Sequence, residues 1–282
     1  MIQNKYSLKA KIKNIAKDNN IESRYILQSF MFEALLKRIA KSKYKDKFII
    51  KGGILLASIF GVNLRSTMDM DTTIVGLPLN VSVIIKVLEE IINIDIGDNI
   101  KLSLVGIKDI REEDIYSGIN VHIIAEFDGI KVDLMVDITT GDVITYKAIE
   151  YSYKTIFNEC IKVLSYNYET VIAEKFESII SRNIDNTRMK DYYDLYMFTK
   201  FKWKQIDKDI LITAIKNTSK HRNSEKYIER ANDYIELIEE DDGLKRLWKE
   251  YQTKYNYAKD ISFDDIIDAI KIINNIIVLI EV

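Results

Sequence analysis

The chain has 282 residues, with 41 Lys and Arg against 43 Asp and Glu. An apolar content of 47% with 30% charged residues is that of a folded soluble protein and excludes a disordered chain. One cysteine, Cys160, excludes a disulfide framework and a cysteine metal site, and fits a reducing compartment.

Charge is unevenly placed. Residues 1–51 hold thirteen Lys and Arg but only Asp18, Glu22, Glu33 and Asp46, so a basic block precedes an acidic body and points to a polyanionic partner. The elements follow in chain order. Ser7 to Lys17 and Ser23 to Ala40 read as helices, the second with Leu27, Phe30, Met31, Ala34, Leu35 and Ile39 on one stripe. Phe48 to Ile50 is a short buried strand running into Lys51-Gly52-Gly53, and Ile54 to Phe60 is helical. Thr67 to Val75 reads as a strand, Val83 to Ile94 as a helix, and Leu102 to Ile107, Ile119 to Phe127 and Ile130 to Ile138 as strands. Asp128-Gly129 is a hairpin turn between the last two. From about residue 166 the pattern is helical: Tyr168 to Ser181, Met189 to Thr199, Ile206 to Lys216, Ser224 to Ile238, Leu244 to Tyr255 and Phe263 to Ile280. Arg182 to Thr187 is a polar turn, and Ser262 with Asp265 caps the last helix. The sum is an α/β domain over 1–165 and an all-helical domain over 166–282. The N-terminus shows no signal-peptide pattern, and Ile272 to Ile280 is too short to span a bilayer, which predicts a cytoplasmic protein without a membrane partner.

The sequence lacks GxSxG, HExxH, GxGxxG and P-loop patterns, and its two histidines, His122 and His221, are far apart. The chemistry concentrates instead in aspartates. Asp69 and Asp71 are two apart on a strand and share a face, where like charges call for a cation. A hard divalent ion such as Mg²⁺ would answer that need and also hold phosphates, while the paired glycines let backbone N–H groups approach a phosphate closely. A third acid would complete a two-ion site, and the strand Lys131 to Ile138 offers both Asp133 and Asp137 on one face. Glu174-Lys175 and the segment Arg188 to Leu195, where Lys190, Asp191 and Asp194 share a helix face, read by themselves as surface ion pairs.

Taken in order, Lys51-Gly52-Gly53, Arg65 to Asp71, Asp137 to Asp142, Ala173 to Lys175 and Asn186 to Leu195 resemble the AbiEii toxin family of type IV toxin–antitoxin and phage abortive-infection systems, within the polymerase-β-like nucleotidyltransferase superfamily. The resemblance implies a mixed sheet flanked by helices followed by a helical domain, with the site in a cleft between them. It implies transfer of a nucleoside monophosphate from NTP, with release of pyrophosphate, to an RNA acceptor such as the tRNA 3′ end, which blocks translation. Asp69, Asp71 and Asp137 would hold Mg²⁺ or Mn²⁺, Asp137 being preferred over Asp133 because it precedes Ile138 and a following Gly-Asp. Lys51, Gly52, Gly53, Arg65, Ser66 and Lys190 would bind the nucleotide, and Lys175 and Asp191 would join the catalytic set. An antitoxin encoded nearby, acting on transcription rather than by binding, would be the cognate partner. The superfamily commonly carries Gly-Ser where this chain has Gly52-Gly53. A nucleotidyltransferase acting on a small molecule or a protein side chain, and a non-catalytic NTP- or RNA-binding module, are the alternative readings.

Overall fold

A computed structural model describes residues 4–110 and 118–278, so Leu279 and Ile280 of the last expected helix lie outside the described residues. The chain divides into two compact units. The first runs to Asp142 and resumes over Ala148–Tyr166; the second takes Val143–Lys147 and the chain from Asn167 onward.

In the first unit α1 (Lys5–Asp18) and α2 (Ser23–Lys41) precede β1 (Phe48–Lys51), α3 (Gly52–Phe60), β2 (Asp69–Ile74) and α4 (Val81–Ile92). The strands β3 (Lys101–Ile110), β4 (Gly118–Phe127), β5 (Ile130–Thr140), β6 (Ile149–Lys154) and β7 (Cys160–Ser165) follow. All seven strands form one mixed sheet in the order β3-β4-β5-β2-β1-β7-β6. β2 runs parallel to β5 and β1 parallel to β7, and the other neighbours are antiparallel. Alternation sets the two faces. Met70, Thr72 and Ile74 of β2, Leu134, Val136 and Ile138 of β5, and Val121, Ile123 and Ala125 of β4 are buried. α2 packs on β5 and β7, and α4 on α2 and β3. Gln28 pins α2 to the sheet by donating to the carbonyls of Met68 (3.2 Å) and Asp133 (2.9 Å). The α2 end is fixed by Arg38, whose guanidinium forks onto Asp98 (2.8 and 2.9 Å) and reaches the Ile100 carbonyl (2.7 Å).

The Asp128-Gly129 turn joins β4 and β5 with both residues at positive φ, as the sequence predicts. β6 and β7 are strands that the sequence pattern did not single out. β6 is the sheet's last strand and buries little beyond Tyr153, so its apolar signal is thin. Gly52 and Gly53 begin α3 rather than preceding it.

The second unit is helical: α5 (Tyr168–Arg182), α6 (Met189–Phe201), α7 (Lys208–His221), α8 (Glu225–Ile228), α9 (Ala231–Glu240), α10 (Asp242–Lys254) and α11 (Phe263–Val278). Polar caps mark the starts: Asn167 accepts from the Thr170 N–H, Asp207 from those of Asp209 and Ile210, and Ser262 and Asp265 form a reciprocal box. The single helix expected over Ser224 to Ile238 is broken between Ile228 and Ala231. α8 packs on α5 whereas α9 packs chiefly on α11, and two packing partners bend one apolar stripe into two pieces.

Candidate active site

The aspartate face of the sheet is built by register. One line across the strands reads Lys51, Asp71, Asp137, Asn120; the line two residues along reads Asp69, Met135, His122. β2 and β5 are parallel neighbours, so Asp71 and Asp137 are Cα partners on adjacent strands, with Asp69 on the same face one step away. The neighbouring Asp69 and Asp71 and the distant Asp137 are thereby gathered on one side of two strands. Burial raises the Asp137 carboxyl above the ordinary range, and the charges of Asp71 and Asp69 raise it further against the lowering by Asn120, which donates to Asp137 Oδ1 at 2.6 Å. Asp133, four residues earlier on β5, is engaged by the next polar residue of β4, with its Oδ1 2.6 Å from His122 Nε2.

The Asp71 carboxylate lies against the start of α3. Gly53 N–H donates to its Oδ2 at 3.3 Å, at a helix N-terminus where unpaired N–H groups favour an anion. Gly52 has φ +58, and a Cβ there would stand 1.9 Å from Asp71 Oδ2, so both the backbone and the space require glycine. At Gly53 a Cβ would meet Thr67 Oγ1 at 2.4 Å: the neighbouring threonine hydroxyl fills the space that a larger residue at 53 would need.

Lys51 shares the register line, and its ammonium reaches along the same face of β5 to the residues after Asp137, lowering the Asp137 carboxyl a little on the way. It donates to Asp142 Oδ2 (2.5 Å) and Thr139 Oγ1 (2.8 Å) and lies 5.6 Å from the Tyr166 ring centre. Burial raises the Asp142 carboxyl, and the Lys51 ammonium more than reverses this, leaving it below the usual range. The pair ties the loop after β5 to the strand that carries the glycines. Arg65 and Ser66 are buried, with the guanidinium donating to the Ser66 carbonyl at 2.6 Å.

In the helical unit Lys175 stands between two buried carboxylates, Asp191 Oδ1 and Asp194 Oδ2, both at 2.7 Å, and Arg188 reaches Asp191 from α6's start (3.1 Å). Burial pushes the Asp191 carboxyl up, and Lys175 with Arg188 overcomes that and holds it below the ordinary range. Lys190 is exposed.

The donor chemistry of Asp69, Asp71 and Asp137 fits a hard divalent cation: three carboxylates lie on one face of two adjacent strands, and the charges of Asp71 and Asp69 bear on Asp137 more than that of Lys51 does. As they stand, Asp71 is turned to Gly53 and Asp137 to Asn120, and no three His, Cys, Asp or Glu side chains among the described residues converge around one point. Asn120, Thr67, Thr139 and Asp142 were not singled out for roles from the sequence. The alternating polar positions Asn120 and His122 in β4 are the signal that marks that strand's open face.

Residues 34–269 match the sequence profile of the family described as nucleotidyl transferase AbiEii toxin, type IV TA system. A crystal structure of a candidate nucleotidyltransferase from H. pylori superposes with a TM-score of 0.51 at 15% identity, covering 93% of this chain and 100% of that one. JHP933 from Helicobacter pylori gives a TM-score of 0.50 at 14% identity, covering 92% and 96%. These likenesses show the nucleotidyltransferase fold. No curated protein sequence matches the chain.

Proposed function

The chain belongs to the AbiEii nucleotidyltransferase toxin family, and from that premise we propose that it transfers a nucleoside monophosphate from an NTP to an RNA acceptor, foremost the 3′ end of tRNA. Pyrophosphate leaves, the altered tRNA stalls translation, and a cognate antitoxin encoded nearby restrains the activity in the cytoplasm. The observation that carries this reading is the register of Asp71 beside Asp137 with Asp69 on the same face.

Each residue has a task in it. Asp69, Asp71 and Asp137 hold Mg²⁺ or Mn²⁺, which when bound supplies charge for the triphosphate and acidity for the acceptor hydroxyl. The N–H groups of Gly52 and Gly53, at the start of α3, receive phosphate oxygens. Lys51 acts through Asp142, fixing the strand end from which those glycines project. Arg65 and Ser66 shape the loop leading into β2 next to the nucleotide. Lys175, Asp191 and Lys190 belong to the nucleotide-binding and catalytic set of the helical unit, Lys175 being positioned by two carboxylates. The +9 segment over residues 1–51 supports a polyanionic acceptor rather than a small neutral one. No helix among the described residues is long and apolar enough to cross a membrane.

The test is incubation with each α-labelled NTP, total tRNA and Mg²⁺ or Mn²⁺. Label is expected on tRNA with wild type, and not with Asp71→Asn or Asp137→Asn. Wild-type label on an aminoglycoside or a protein with none on RNA would establish the alternative acceptor; nucleotide binding without pyrophosphate release would establish a non-catalytic module.

A further inference from the structure

The first helix presents a line of cations against a single acid of its own, Asp18 at its last position. Tyr6, Lys9, Lys13 and Lys17 of α1 are all exposed, and their spacing of three and four puts them on one face. Lys5, Lys9, Lys11, Lys13 and Lys17 make no ion pair among the described residues, and neither do Lys41, Lys45 and Lys47; Arg24, Lys37, Arg38, Lys43 and Lys51 of the same basic segment are each paired with a carboxylate. Like charges at i, i+4 weaken a helix, and Lys5–Lys9, Lys9–Lys13 and Lys13–Lys17 all stand so. The chain therefore carries an electrostatic strain here that a bound polyanion would relieve, although acids are plentiful elsewhere. Tyr6 is 74% exposed at the head of the stripe, with the Lys5 ammonium 5.5 Å from its ring centre.

The stripe is held to the sheet at two turns. The Lys5 N–H donates to Asp128 Oδ2 (2.7 Å) in the β4–β5 turn, and Lys11 lies 5.5 Å from the Phe157 ring centre. At its other end α1 leads within a few residues to the start of α2, whose second turn carries Gln28, bonded to the carbonyl of Met68, the residue before Asp69. Lys9 to Lys17 covers about 12 Å at the helical rise of ~1.5 Å per residue, enough to follow about two phosphate-to-phosphate steps, that is three successive phosphates, of an extended strand.

We propose that this α1 stripe is the docking track for the RNA acceptor: Lys9, Lys13 and Lys17 neutralise successive backbone phosphates, Tyr6 offers a face on which an unpaired base stacks, and the strand continues past α2's first turn towards Asp69 and Asp71. The inference rests on the RNA-acceptor reading given above. RNA is favoured over an anionic membrane because Leu8, Ile12 and Ala16, the apolar side of α1, are buried in the protein and leave no apolar face to insert into lipid.

The experiment measures binding of a fluorescein-labelled single-stranded RNA and a tRNA transcript across a salt series, using the full chain, its Lys9→Gln/Lys13→Gln/Lys17→Gln variant and the corresponding triple Arg variant. Each phosphate contact removed lowers the slope of log K against log salt by about 0.7 for single strands. The Gln variant is expected to lose about two units of slope and at least tenfold in affinity at 0.1 M salt. The Arg variant should bind as wild type, and all three should bind a fluorescent NTP equally. Wild type without RNA affinity, a Gln variant with unchanged affinity and slope, or equal loss in the Arg variant would each overturn the proposal, as would a defect confined to binding phosphatidylserine vesicles. Failure of nucleotidyl transfer leaves its own mark: RNA bound through the stripe but never labelled refutes the proposed reaction and not the track.

Discussion

Gly52→Ala isolates the contact on which the aspartate face turns. Two costs arise in that variant. A non-glycine residue in the left-handed region pays about 1–2 kcal/mol, and Gly52 has φ +58. The new Cβ would also stand 1.9 Å from Asp71 Oδ2 and 2.6 Å from its Cγ, so the carboxylate must leave its place and give up the Gly53 N–H. A hydrogen bond to a charged group is worth about 1.5–3 kcal/mol, and at 3.3 Å this one belongs at the low end. The total is about 2.5–3.5 kcal/mol. Gly129→Ala is the matched control: its φ is +79 with nothing within 4 Å of the added Cβ, so it bears the backbone cost alone. Urea unfolding should place Gly52→Ala about 1–2 kcal/mol below Gly129→Ala. Displacing a reacting group by an ångström can cost about a hundredfold in rate, so nucleotidyl transfer by folded Gly52→Ala should fall at least that far while Gly129→Ala keeps wild-type turnover. Equal activities in the two folded variants would refute the assignment of Asp71 to the reacting centre.

Two further outcomes concern stability. Lys175→Met removes the cation that two buried carboxylates share, Asp191 and Asp194, both at 2.7 Å. Unfolding in urea should show a loss of about 3–5 kcal/mol, and a loss under 1 kcal/mol would contradict the buried triad. Glu33 is buried on α2, where its carboxyl is pushed up to about 8 by desolvation, offset in part by the Ile156 N–H (2.7 Å) and Lys37. A raised folded value favours the protonated form in the native state, so its stabilisation is complete below the unfolded pKa, near 4.5, and is lost as pH rises towards 8. Melting temperatures of wild type should therefore fall relative to Glu33→Gln between pH 5 and 8, by an amount equivalent to a few kcal/mol at most; parallel curves would show that the carboxyl is not desolvated.

What the sequence exposes depends on whether a signal is local. Helices α1, α2, α5 and α6 show as helical periodicity, and the Asp69/Asp71 and Asp133/Asp137 pairs show as strand alternation, because each is a property of neighbours along the chain. Which of Asp133 and Asp137 stands beside Asp71 is a property of register. The pairing of β2 with β5 places Asp137 there, and His122 engages Asp133. The Lys51–Asp142 pair is equally invisible, since ninety residues separate its members and only the pairing of β1 with β2 and of β2 with β5 brings them together. Glu33 sits on the buried side of a helix whose pattern otherwise predicts apolar residues, so its partner at Ile156 appears only once β6 and β7 are in place. β6 itself hides because an outer strand with alternating Tyr, Ser and Glu buries too little to be distinguished from a loop.

The central claim is that Asp69, Asp71 and Asp137 act together on a divalent cation, and Mn²⁺ titration followed by electron paramagnetic resonance addresses it without recourse to turnover. Wild type and Asp133→Asn should bind Mn²⁺ alike, more tightly in the presence of a non-hydrolysable NTP, while Asp71→Asn and Asp137→Asn, folded by circular dichroism, should bind at least tenfold more weakly. Mn²⁺ affinity that is unchanged in Asp71→Asn and Asp137→Asn, or that disappears only in Asp133→Asn, would contradict it.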